Sequence, residues 1–139
     1  MPSKKVSLLE RAEVDLRIAK QMLPEAGDEV MVDACAYHCQ QCAEKIVKYL
    51  ILLEGKMYAA DHRSDIYLDD LEDSEIKALA ESVAYRIDSW ATHIRYSKTL
   101  LSSRKAVQEV IAVCEDMYKI ALSRSPKAER ADDIRIDLS

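Results

Sequence analysis

The sequence has 139 residues, with 25 acidic against 20 basic side chains, a net charge of −5, 49% hydrophobic content, two glycines and three prolines. That length suits one domain whose core needs neither metal nor disulfide, and so little turn chemistry argues against a sheet protein and for an all-helical one. The acidic balance disfavours broad counterion-driven nucleic-acid binding but leaves room for a local basic groove; no stretch nears the roughly 18 apolar residues of a membrane span, and charges interrupt the N-terminus too early for a signal peptide.

Ser7-Leu8-Leu9-Glu10 has capping-box spacing, with Ser3 as an earlier start, and Leu9, Ala12, Leu16, Ala19 and Leu23 then recur at steps of three and four. This pattern predicts a first amphipathic helix. Pro24 disfavours helical geometry at Leu23 and Gly27 supplies a loop, so that helix is expected to stop at Leu23. A second helix begins near Asp28, and its stretch 34–54, ACAYHCQQCAEKIVKYLILLE, organises the chain. Val32, Cys35, Ala36, Cys39, Cys42, Ala43, Ile46, Leu50 and Leu53 make one apolar stripe, and Tyr37, Gln41, Glu44 and Lys48 lie opposite. Ile51 and Leu52 broaden the stripe, so the last two turns should be buried on more than one side. Gly55 ends this helix.

Residues 56–74 read as a long connection with one short helical turn around Ile66, Leu68 and Leu71. It holds the acidic run Asp65, Asp69, Asp70, Glu72, Asp73 and Glu75, most simply an exposed charge run that also suits a helix start. Asp73 or Ser74 caps a third helix to about Tyr96, with Ile76, Leu79, Ala80, Val83, Ile87, Trp90 and Ile94 on its buried stripe. Trp90 reads as a core or dimer anchor. Residues 97–103 offer a cap for a fourth helix carrying Val107, Val110, Ile111, Cys114, Met117 and Ala121, limited by Pro126. The expected fold is therefore all-α: an antiparallel up-and-down bundle of four long helices plus one short helix, a single domain over 1–124. The charged tail 125–139 alternates Ile134, Ile136 and Leu138 with polar residues, a pattern suited to weak docking on a partner.

The four cysteines sit mostly on helical core positions, which points to a reducing compartment, the cytoplasm. Cys35, His38, Cys39 and Cys42 invite a zinc reading, but Cys35 and Cys42 are about two helical turns apart, too far for one tetrahedral shell. A pair such as Cys35 and Cys39 would need Cys114 or His62 as well, so neither metal nor cofactor is expected. Gln41, Lys45 and Lys48, with His38 at the edge, form a polar and basic strip. Its simplest reading is a solvated face with a Glu44 to Lys48 pair; its functional reading is contact with phosphate or an acidic partner surface.

Gln40-Gln41-Cys42-Ala43-Glu44-Lys45 with Lys48, preceded by Glu13-Val14-Asp15-Leu16-Arg17-Ile18-Ala19-Lys20 and followed by Arg95-Tyr96, resembles the HEPN domain family over about residues 9–121. His62, Asp65-Ile66, Leu68 and Leu71 look like a looser version of that family's segment between helices two and three. The resemblance implies a small bundle, commonly a homodimer and often encoded beside a minimal nucleotidyltransferase. Many members are toxin or defence RNases using an arginine and a histidine a few residues apart, paired across the dimer. Others lack that motif and serve as non-catalytic partners or nucleotide-binding modules.

Arg86 and His93 fit the RNase spacing, with six residues between them. On a helix they project to nearly the same side, about 10 Å apart along the axis. His93 would act as general acid or base on the ribose hydroxyl and leaving oxygen, and Arg86 would stabilise charge on phosphate, with no metal. Against this, Ile87 stands where catalytic members usually carry a polar residue. Arg95-Tyr96 matches the branch that often lacks the motif, although Ser97 replaces its usual proline. The leading expectation is a non-catalytic or weakly catalytic dimeric partner of a nucleotidyltransferase in a prokaryotic toxin–antitoxin or defence system. The alternatives are a metal-independent RNase using Arg86 and His93, and a stand-alone nucleotide-binding module whose ligand, like a partner or RNA, would meet Gln41, Lys45, Lys48, Arg95 and Tyr96.

Overall fold

The computed structural model describes residues 7–56, 71–93 and 103–125; within 71–93 it describes the side chains of 71–84 and of Arg86. Four helices fill these segments: α1 (Leu8–Glu25), α2 (Glu29–Leu53), α3 (Ser74–His93) and α4 (Arg104–Arg124). Each starts where a short polar side chain accepts one of the backbone N–H groups that the first turn leaves without a helical partner. Ser7 Oγ accepts from Glu10 N–H at 3.0 Å, Asp28 Oδ1 from Met31 N–H at 2.9 Å, Asp73 Oδ1 from Ile76 N–H at 3.2 Å, and Ser103 Oγ from Ala106 N–H at 3.1 Å.

The ends are equally local in origin. Gly55 takes φ +79, a left-handed conformation that costs glycine nothing. In it Gly55 N–H reaches Leu52 C=O at 3.0 Å and Lys56 N–H reaches Ile51 C=O at 3.1 Å, closing α2. By contrast, α1 does not stop at Leu23; it continues through Pro24 to Glu25. A proline in the last turn removes an N–H where the carbonyls are already short of helical donors. Arg104 makes up part of that deficit, donating to Leu23 C=O at 2.5 Å and to Ala26 C=O at 2.7 Å.

Side-chain links fix the topology. Lys20 on α1 meets Glu115 on α4, while Arg104 sits by the end of α1, so these two run antiparallel. Glu54, just past α2, accepts from the Glu72 and Asp73 N–H groups at 3.0–3.1 Å, which puts the end of α2 at the start of α3. Arg124 near the end of α4 meets Asp73 and Glu75 at 2.8 and 2.7 Å, whereas Arg86 meets Glu109 nearer its start. The result is an up-and-down bundle in which α2 packs on all three other helices. Short side chains, Ala12, Ala19, Cys35, Ala36, Cys39 and Cys42, are buried at the centre, and Ile46, Ile51, Ile76 and Met117 fill the space beyond them. Each of those larger residues contributes about 1.5–3 kcal/mol by leaving water.

The expected short helix around Ile66 and Leu68 and the expected end of the third helix at Tyr96 lie outside the described residues. So does the tail from Pro126 onward. Leu71 is described and is buried. Among the described residues there is no strand, and no helix is long and apolar enough to cross a membrane.

Candidate functional site

Arg86 and His93 both lie on α3, seven positions apart, with His93 its last residue. The Arg86 guanidinium donates to Glu109 Oε2 at 2.6 Å across the α3–α4 face. That hydrogen bond and the charge behind it hold the Glu109 carboxyl below its ordinary range. Both partners remain exposed, at 41% and 47%. The His93 side chain, together with Arg95 and Tyr96, falls outside the described residues.

On α2 the polar residues do not form the expected solvated strip. Lys48 is only 9% exposed and Glu44 4%, and their ion pair closes at 2.7 Å. Gln40, itself buried, donates to the other Glu44 oxygen at 2.6 Å, and Gln41 donates to Gln40 Oε1 at 2.7 Å. Glu44 and Lys48 each have further interactions beyond these. The pairing at i and i+4 is therefore as the sequence suggests, while its environment is not, because α2 is enclosed by three helices rather than one. Charges buried this way persist only when paired and hydrogen-bonded.

Lys45 and His38 converge on a residue the sequence does not single out. Asp15, on α1, receives the Lys45 ammonium on Oδ2, and its Oδ1 lies 3.0 Å from His38 Nδ1. The signal was available: Asp15 stands between Ala12, Leu16 and Ala19 on the buried side of α1, where a carboxylate needs a partner. Gln41, Lys45 and Lys48 are thus brought close along α2, but each is engaged within the chain, and none is held near Arg86 by any described contact.

The cysteines are free thiols, all four buried. Burial raises Cys39 and Cys35 above the ordinary thiol range, and Cys114 is raised by its hydrogen bond with Cys42 and by burial. Thiols kept protonated in this way are poor nucleophiles and poor ligands. Among the described residues no group of three or more His, Cys, Asp or Glu is placed to hold a metal ion.

A groove of about 360 Å³ runs between α1 and α4, lined by Glu13, Leu16, Arg17, Lys20, Glu115 and Tyr118 among others. Arg17 pairs with Glu13 at 2.5 Å and Lys20 with Glu115 at 3.4 Å. Burial, and then Glu13, push the Tyr118 hydroxyl upward. Lys119 also lines the groove, beside these two pairs.

A family model described as HEPN domain matches residues 6–125 of this chain. No curated protein and no solved structure matches it significantly.

Proposed function

The chain belongs to the HEPN family, and from that premise we propose that it acts as a non-catalytic or weakly catalytic dimeric partner of a nucleotidyltransferase in a prokaryotic toxin–antitoxin or defence system. The observation that carries this reading is the Arg86–Glu109 pair. An arginine that stabilises a phosphate in a transition state must present its fork to the incoming oxygens. Here one arm of that fork, Nη1, is already held by a carboxylate of the same chain, so two-pronged phosphate binding would compete with an anion. The engagement of Lys45 by Asp15 and of Lys48 by Glu44 supports the same reading, since the cations that would gather RNA or nucleotide along α2 are committed inside the bundle.

The test is co-expression with the products of the neighbouring genes, among which a nucleotidyltransferase is expected. Co-elution of the two chains, with the HEPN chain dimeric by light scattering, is the expected result. RNA cleavage in EDTA by the chain alone, lost in His93→Ala, would overturn it and establish the RNase reading. A thermal shift with millimolar nucleotide, in the absence of any partner, would favour the stand-alone nucleotide-binding module instead.

A further inference from the structure

The groove between α1 and α4 takes no part in that function. Its most buried lining residues are Leu16 and Tyr118, while Arg17, Lys20, Gln21 and Lys119 line it from exposed positions, their carbon stems covering apolar surface and their heads reaching water. Three cations stand in it against two carboxylates, Glu13 and Glu115. Arg17 and Lys20 are already paired with those carboxylates, which leaves Lys119 over. Among the described residues Lys119 makes no ion pair, and neither the Gln21 amide nor the Tyr118 hydroxyl makes a hydrogen bond. On a chain of net charge −5 this is a spot of surplus positive charge with an aliphatic and aromatic bed.

The same chain carries a segment of complementary pattern. Residues 132–138, Asp-Asp-Ile-Arg-Ile-Asp-Leu, hold three carboxylates against one arginine, with Ile134, Ile136 and Leu138 at every second position. In an extended chain those three share one face and the polar residues between them take the other. The lengths agree: Ile134 to Leu138 span about 13 Å when extended, and Glu13 to Gln21 about 12 Å along α1. The connection is long enough. Ser125 is fixed by its hydroxyl, which shares a hydrogen bond with the Tyr49 hydroxyl and donates to Ala121 C=O at 3.2 Å. Lys119 lies about 9 Å back from it along α4, and residues 126–131 cover up to about 20 Å. The groove beside Asp28, Glu29 and Arg104 fits less well. Its carboxylates outnumber its one arginine, and it lies at the far end of α4, about 30 Å from Ser125.

We propose that the α1–α4 groove is the docking surface for segment 132–138 of the same chain, seated in cis as an extended strand. Ile134, Ile136 and Leu138 face Leu16 and the Tyr118 ring, and the carboxylates meet the cations at the rim, Lys119 first. Exposed ion pairs contribute little each, so the aliphatic contacts carry most of the binding and the charges choose the face. Tethering supplies the affinity that so short a segment lacks, because a flexible linker of this length holds it at an effective concentration on the order of millimolar. While seated, the tail closes this face of the bundle to a segment of like pattern from another protein.

NMR of the full chain, methyl-labelled at isoleucine and leucine, tests this. The expected result is nuclear Overhauser contacts from the Ile134 and Ile136 methyls to the Tyr118 ring, with the backbone relaxation of an ordered segment over residues 132–138. Ile134→Ser combined with Ile136→Ser should abolish both. Lys119→Glu, at an exposed position that leaves the bundle folded, should raise the undocked fraction about two- to fivefold, as the loss of an exposed charge contact does. Relaxation of an unfolded chain over 132–138 in the wild type would overturn the proposal, as would contacts from these methyls to another surface or an unchanged docked fraction in Lys119→Glu. Contacts that arise only between differently labelled copies would overturn it in favour of exchange between two chains. The wild-type contacts decide the matter whatever the variants do, and none of these readouts depends on a nucleotidyltransferase.

Discussion

The carboxylate–cation pairs along α2 and those along α3 and α4 share one chemistry in two solvents. Glu44 and Lys48 meet at 2.7 Å with 5% and 11% of their side chains exposed; Arg86 and Glu109 meet at 2.6 Å with both nearly half exposed. Distance alone ranks the two as equals. Burial separates them, because a buried pair has surrendered its hydration and an exposed one has not. In the first, losing one partner leaves a desolvated charge to its remaining hydrogen bonds, and in the second water replaces either.

The largest expected effect tests that difference directly. Lys48→Ala leaves Glu44 without its ammonium among buried groups, and should cost about 3–5 kcal/mol in urea unfolding, the usual penalty for halving a buried pair. The double change Glu44→Gln with Lys48→Met removes both charges and should recover most of that loss. A single-variant cost no larger than that of a surface pair would erase the distinction between the two regions.

The sulfurs sharpen the same point through reactivity. Cys35, Cys39, Cys42 and Cys114 are each 0% exposed, and burial holds Cys35 and Cys39 protonated beyond the ordinary thiol range. An aromatic disulfide reagent at mildly alkaline pH should therefore modify none of them in the folded protein and all of them in denaturant. Fast labelling of any one in the native state would mean that α2 is less enclosed than its packing implies.

Asp73 stands between the extremes. Burial works against its ionisation, but the hydrogen bonds from Arg124 and from the Ile76 N–H outweigh it and hold the carboxyl below its usual range. A depressed folded value means that the contribution is complete above the unfolded carboxylate pKa and is lost as pH falls through the folded one. Asp73→Asn keeps a capping oxygen but removes the charge that faces Arg124 and the helix start, so it should cost about 0.3–1 kcal/mol near neutrality and flatten part of the acid limb of the stability profile. An unchanged acid limb would assign the cap no electrostatic share.

What could be read from the sequence follows the range of the interaction that decides it. Ser7, Asp28, Asp73 and Gly55 act on backbone within a few residues, so the starts of α1, α2 and α3 and the end of α2 were legible, as were the stripes through Leu16, Cys39 and Val110. The tail of α1 was not, because the group that relieves the carbonyls around Pro24 is Arg104, which lies far along the chain. The same limit applies to the site residues. Lys45 and Lys48 read as solvated because periodicity describes one helix and says nothing of how many neighbours enclose it. Asp15 was read only as part of a family-like run, because its partners, His38 and Lys45, are assembled only by the packing of α1 on α2.

The smallest effect on stability comes from Arg86 and Glu109, and it carries the most weight for function. Removing either partner, as Arg86→Gln or Glu109→Gln, should leave the melting temperature unchanged at low and high salt alike, because both side chains are solvated and neither is stranded when the other goes. Arg86 also holds the Glu109 carboxyl below its ordinary range, so any stabilisation from the pair would be present above the ordinary carboxylate pKa and lost on acidification. Solvent screening makes that component too slight to show in the melting curve. Glu109→Gln does, however, release the guanidinium from its only described acidic partner. If the chain is a non-catalytic partner, the released arginine still lacks a competent site and RNA incubated with the variant in EDTA stays intact. If Glu109 merely masks an active pair, cleavage appears in Glu109→Gln and disappears again when His93→Ala is added. That outcome would turn the exposed ion pair from a surface decoration into a lock on an RNase.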